Sequence, residues 1–111
     1  MWKGIGTMPA TMFTRIKIGA KRRDLEFNLT FEYIWDLYEK QEGKCAFSGI
    51  EIGFGRINLK EITASLDRIN SELGYLKGNV QWVHKDINYM KQTMKDDYFI
   101  DLCKKIAKYN E

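Results

Sequence analysis

Between Ile62 and Met94 the spacing of apolar residues changes from alternation to helical intervals, with turn residues in between. Ile62, Ala64, Leu66 and Ile69 alternate approximately as in a short strand, the phase slipping near Asp67. Glu72-Leu73-Gly74 and Lys77-Gly78 read as a turn, and Val80-Gln81-Trp82-Val83 is rich in the branched and aromatic residues of a second strand. From His84 onward, Ile87, Met90 and Met94 recur as on one helix face. Two short strands and one helix bury too little apolar surface to stand alone. The rest of the chain must therefore supply packing partners.

Both flanks offer them. Met12, Ile16 and Ala20, with Phe13 beside them, predict an amphipathic helix within residues 10–23 whose polar side is basic. Thr30 is a suitable N-cap for a second helix, in which Phe31, Ile34, Trp35, Leu37 and Tyr38 form a broad apolar face ending at Gly43. The N-terminal basic helices thus occupy residues 10–42. A last helix is expected over 96–108, burying Tyr98, Phe99, Leu102 and Ile106. Between Cys45 and Asn58 the chain is glycine-rich and has no helical period, as in a knuckle or loop. The expected fold class is α+β: a short β-hairpin running into a helix, flanked by N-terminal and C-terminal helices in a single domain over 1–111. At 111 residues such a core needs no disulfide framework. Cys45 and Cys103 sit in unlike contexts and read as two reduced thiols, and a four-cysteine zinc site is impossible by count. The first residues do not resemble a secretory leader and no apolar run is long enough to span a bilayer, so no membrane association and a cytoplasmic location are expected.

The formal charge of +3 permits a nucleic-acid partner without requiring one, and its distribution says more. Lys3, Arg15, Lys17, Lys21, Arg22 and Arg23 all precede the first acidic residue, Asp24. Such a concentrated positive stretch suits a phosphate backbone, although an ordinary solvated helix face would look similar. Later lysines, among them Lys85, Lys91 and Lys105, are interleaved with aspartates and carry less of this signal.

The chemically informative stretch is SLDRINSELGYLKGNVQWVHKDINYMK, residues 65–91. A hairpin would bring Asp67, near the end of one strand, toward Asn88, one turn into the following helix. A carboxylate and an amide oxygen completed by water suit Mg²⁺ or Mn²⁺, which would polarise a phosphate; a strand-end partner of Arg68 is the plainer role for Asp67. His84 is the sole histidine, hence the natural neutral-pH base by residue type, and equally a helix cap.

CAFSG at Cys45, followed by SLDRI, GNVQWVH and DINYMK, resembles the HNH or ββα-metal nuclease family, small phage or mobile-element members in particular. The resemblance covers residues 45–94. It implies an HNH-like ββα-metal module and divalent-metal-dependent hydrolysis of DNA phosphodiesters in a bacterial cell or phage-infected host. By position, Asp67 and Asn88 would hold Mg²⁺ or another divalent cation such as Mn²⁺ or Ni²⁺. Gln92 would add an oxygen, Asn79 would fix the loop, and Lys91 would stand near the substrate phosphate. Arg68 occupies the place of the usual catalytic histidine; being permanently protonated it cannot serve as a base, but it can clamp a phosphate. His84 or a metal-activated water would then take the proton. The CxxC pairs that hold structural zinc in many members read here as Cys45 with Ser48 and His84 with Ile87, so packing is expected in place of zinc. The leading expectation is a DNA endonuclease whose phosphate footprint includes Arg15, Lys17, Lys21, Arg22 and Arg23. A homodimer would be needed for concerted cutting of both strands. The alternatives are a catalytically degenerate HNH-like DNA-binding module and a protein-interaction or inhibitor module.

Overall fold

The structure, a computed structural model, describes residues 4–55 and 61–111. Lys3 and the 56–58 end of the glycine-rich loop lie outside the described residues. The elements run α1 (Ala10–Arg22), β1 (Phe27–Asn28), α2 (Phe31–Lys40), β2 (Ala64–Arg68), β3 (Tyr75–Leu76), β4 (Val80–His84), α3 (Lys85–Lys91) and α4 (Asp96–Tyr109). This is an α+β arrangement with an antiparallel hairpin flanked by helices, consistent with an HNH-like ββα module.

The two leading helices form where their apolar spacing predicts. In α2 the hydroxyl of Thr30 accepts from the Tyr33 amide at 3.1 Å, satisfying one of the N–H groups that a helix start leaves open. Helix α1 turns Met12 and Ala20 into the core, and the Phe13 ring stacks on Phe31 with centroids 5.6 Å apart. These contacts give the hairpin the apolar cover it lacks on its own.

Strands β2 and β4 pair antiparallel, with Leu66 opposite Trp82 and Asp67 opposite Gln81. Trp82 is completely buried, its indole N–H donating to the Ile34 carbonyl at 2.8 Å. Gln41, just past α2, completes the far edge of β4. Its amide oxygen accepts from the Trp82 N–H at 2.9 Å and its amide nitrogen donates to the Trp82 carbonyl at 2.8 Å, much as a neighbouring strand would. The phase slip near Asp67 has a structural cause: Leu66 and Asp67 are both buried, because β2 is covered on both faces.

A second pairing joins β1 to β3 in parallel, with Phe27 opposite Tyr75. Strands of two residues carry no period, so the sequence reading leaves Phe27 unassigned and treats residues 72–78 as turn. The Tyr75 amide donates to the Glu26 carbonyl at 2.7 Å. A Cβ at Gly74 would collide with that same carbonyl, so glycine is what allows the two segments to approach.

Two expectations need correction. The helix after β4 stops at Lys91, where Gln92 adopts a left-handed φ of 53°; Met94 falls beyond it and Met90 is 55% exposed. In α4, Phe99 is buried against Phe47, whereas Tyr98 is 56% and Ile106 is 62% exposed. Residues 104–109 are exposed throughout. Apolar periodicity specifies which face of a helix is greasy, but the length over which a neighbour covers that face is set by the assembled fold.

Candidate nucleic-acid interface

A cleft of about 430 Å³ opens between β2 and α3. From β2 come Ser65, Asp67 and Arg68; from α3 and its end come Lys85, Asn88 and Gln92. Arg23, which follows α1, and Tyr75 on β3 close one side. Antiparallel pairing with β4, which runs directly into α3, is what lays the helix back across β2.

Across this cleft Asn88 Nδ2 donates to the Ser65 hydroxyl at 2.7 Å. Gln92 Nε2 donates to the Tyr89 carbonyl at 2.8 Å. Arg68 Nη1 holds the following loop by donating to the carbonyls of Ser71 at 2.6 Å and Leu73 at 2.9 Å. Its guanidinium carbon stands 5.7 Å from the Tyr75 ring centroid. Arg23 stands at a similar 5.6 Å, and its Nη2 donates to the Tyr75 hydroxyl at 2.7 Å.

Asp67 is not an open carboxylate. Its Oδ2 accepts from Lys91 Nζ at 2.7 Å and from Gln81 Nε2 at 3.0 Å. Lys91 is wholly buried and also faces Asp96 Oδ1 at 2.6 Å, an oxygen with no hydrogen-bond partner beyond this ion pair. Its ammonium further donates to the Arg68 carbonyl at 3.1 Å and lies 5.6 Å from the Phe47 ring centroid. Lys91 and its two aspartates thus bind α3, β2 and α4 together beneath the cleft floor.

Of the residues singled out from sequence, Asp67, Arg68, Asn88, Gln92 and Arg23 share the cleft. His84, Asn79 and Lys91 do not line it. His84 caps α3, its Nδ1 accepting from the Asp86 amide at 3.1 Å. Asn79 accepts from the Asn70 amide at 2.9 Å and donates to the carbonyls of Asn70 at 3.1 Å and Gly74 at 2.9 Å, so it closes the loop after β2. Replacing Asn79 with Ala leaves the buried Gly74 carbonyl and the part-buried Asn70 carbonyl and amide without this partner; a loss of about 1–3 kcal/mol in urea unfolding is expected. Arg15, Lys17, Lys21 and Arg22 are exposed along α1. Sequence reasoning missed Ser65 and Lys85 at this cleft. The Gly74 that admits Tyr75 to β1 was visible, but which segment it pairs with was not.

At the knuckle, burial acts to raise the Cys45 thiol. Hydrogen bonds from the Ser48 hydroxyl and from the backbone N–H groups of His84, Ser48 and Phe47 outweigh it and hold the thiol below its ordinary value. The end of β4 therefore abuts the Cys45 loop. Ile87 packs against the core.

A divalent cation of the hard class is held by oxygen donors, with carboxylates supplying most of the charge. On this cleft the single carboxylate is already matched by Lys91, while Asn88 and Gln92 are neutral amides. Among the described residues, no three His, Cys, Asp or Glu side chains cluster as metal ligands. The donor set fits a divalent cation poorly, and with Arg23, Arg68 and Lys85 on its walls the cleft favours an anion.

No family model matches the chain. It is 39% identical over 82 residues to an uncharacterized 29.0 kDa protein from the dda-modA intergenic region of Enterobacteria phage T4. That similarity covers 74% of this chain and 29% of the relative, so the chain spans less than a third of the length of the curated protein it matches. In structure it is similar to the rare-cutting HNH restriction endonuclease PacI, with a TM-score of 0.67, over 98% of this chain and 84% of that one. Sequence identity between the two is 17%, so the likeness is one of fold. Among the described residues, no helix is long and apolar enough to cross a membrane.

Proposed function

We propose that the chain is an HNH-fold DNA-binding module that holds the sugar-phosphate backbone in the cleft between β2 and α3. The observation that carries this reading is the charge balance of the cleft: Arg23 and Arg68 line it together with Lys85, whose ammonium is shared with Glu61 at 3.5 Å, and its carboxylate, Asp67, is neutralised from behind by Lys91. Guanidinium groups suit phosphate because their planar donors match its oxygens. Arg15 stands beside this cleft, lining with Arg23, Lys85 and Asn88 an adjoining depression against β2, and the fold likeness to a restriction endonuclease supports DNA as the polymer. Arg68 serves here as a phosphate contact rather than as a base.

A second reading, divalent-metal-dependent cleavage of the backbone, is favoured by the common position of Asp67, Asn88 and Gln92 on the cleft. One pair of assays separates the two. In fluorescence anisotropy with a short duplex, three phosphate contacts give a slope of log affinity against log salt of about −2.7, or about a 40-fold loss between 50 and 200 mM; contacts from α1 steepen it. In parallel, supercoiled plasmid is incubated with Mg²⁺, Mn²⁺ or Ni²⁺, with EDTA and Asn88→Ala controls. Binding without cutting is the expected result. Metal-dependent cutting lost in Asn88→Ala would replace the proposal with the second reading, and no DNA affinity at low salt would overturn both in favour of a protein-interaction module.

A further inference from the structure

Arg23 and Arg68 come from opposite ends of the sequence's logic. One terminates the basic helix α1 outside the hairpin, the other terminates β2 within it, and the Tyr75 side chain stands between them. Tyr75 is 6% exposed, so its ring is fixed by packing, while its hydroxyl emerges at the cleft wall and accepts from Arg23 Nη2 at 2.7 Å. Both guanidinium carbons lie within 5.7 Å of the ring centroid. Two like charges drawn to one ring repel each other unless something compensates. The electron-rich ring face offsets part of that repulsion, and an anion in the cleft would offset the rest. Each guanidinium also spends part of its donor set on the protein. Arg68 Nη1 is occupied by two loop carbonyls, and Arg23 Nε donates to the Gly19 carbonyl at 3.2 Å. Both are thereby held in one orientation, which lowers the entropy lost when they close on a ligand.

We infer that Arg23, Tyr75 and Arg68 form a two-arginine clamp for a single backbone phosphodiester, with Tyr75 as the positioning residue that aims Arg23 into the cleft. The clamp rests on the DNA-binding reading above and gives it a defined site: it makes the end of α1 part of the cleft, rather than one more charge on a general basic surface. Its ligand class is a phosphodiester monoanion, and its contact is sequence-independent.

The test is duplex binding by anisotropy across a salt series for the wild type, Arg23→Ala, Arg23→Lys, Tyr75→Phe and the Arg23→Ala/Tyr75→Phe double variant, with unfolding curves confirming that each is folded. Losing one phosphate contact makes the salt slope shallower by about 0.9. Arg23→Ala is expected to show that change with about a 5–10-fold loss of affinity. Tyr75→Phe keeps the buried ring and removes only the oxygen that holds Arg23, so a smaller loss of about threefold is expected, with no further loss in the double variant beyond Arg23→Ala alone. Arg23→Lys restores the slope but not the affinity, because an ammonium carries the charge without the planar fork. A wild-type slope retained in Arg23→Ala would overturn the clamp and leave DNA binding intact, as would additive losses in the double variant. No DNA binding by the wild type would overturn both.

Discussion

Lys91→Met is expected to cost about 3–5 kcal/mol of folding stability, as much as any single substitution outside the aromatic core. Lys91 is completely buried and is the only cation that meets Asp67 and Asp96 among the described residues. Methionine fills nearly the same volume, so packing is not what is lost. The loss is the ammonium that pairs at 2.7 Å with the carboxyl of Asp67, itself only 5% exposed. Without it, Asp67 keeps only the Gln81 amide as partner and confronts Asp96, which Gln81 also approaches at 3.3 Å. The effect is read from urea unfolding at constant m-value. Adding Asp67→Asn to Lys91→Met should recover part of the loss, because two charges are then removed together and an amide can still bond to Gln81. A change below about 1 kcal/mol in Lys91→Met would show that the ion-pair cluster is not what joins α3 and α4 to β2. The same arithmetic explains why Asp67→Ala is a poor probe of function: it removes one of the two carboxylates that hold the buried Lys91 ammonium and so disturbs the fold, whereas Asn88→Ala removes a cleft amide whose one side-chain hydrogen bond among the described residues is to the Ser65 hydroxyl.

The other large effect is expected at Trp82. Its ring is fully buried, meets Phe54 edge-on with centroids 5.2 Å apart and Tyr38 at 6.4 Å, and ties β4 to α2 through the bond to Ile34. Trp82→Ala would open a cavity at the junction of hairpin and helix, at a cost of about 3–5 kcal/mol. For a domain with about 5–15 kcal/mol in total, that is a large fraction of the whole. Trp82→Phe should cost clearly less, since it keeps most of the aromatic contact and loses the indole donor. Thermal unfolding of the two variants beside the wild type decides it; equal losses would mean that the hydrogen bond to Ile34, and not ring volume, dominates.

These predictions draw on features that differ in how far they could be seen in the chain alone. Helices α1 and α2, the hairpin and the α+β class were legible because local period and capping chemistry act within a few residues: Thr30 caps the helix it begins, and Val80-Gln81-Trp82-Val83 favours a strand wherever it is placed. Asp67, Arg68, Asn88 and Gln92 were named as candidates from the resemblance, Arg68 as a departure from it, and all four line the cleft. The partners that determine their chemistry were not legible. Lys91 was placed near the substrate phosphate by the resemblance; it is wholly buried between two aspartates, because α4 returns to bring Asp96 against it. His84, the obvious base by residue type, caps α3 through its Nδ1 and is not among the residues lining the cleft.

The amino-acid sequence by itself determined α1, α2, the two hairpin strands and where the positive charge is concentrated, and it named candidates for the chemistry. Only the tertiary structure decided the balance of charge at the cleft. A buried ion pair, a tyrosine between two arginines and a two-residue parallel pairing each depend on groups distant in sequence, and electrostatic energy depends on separation in space and on burial, neither of which a linear pattern contains.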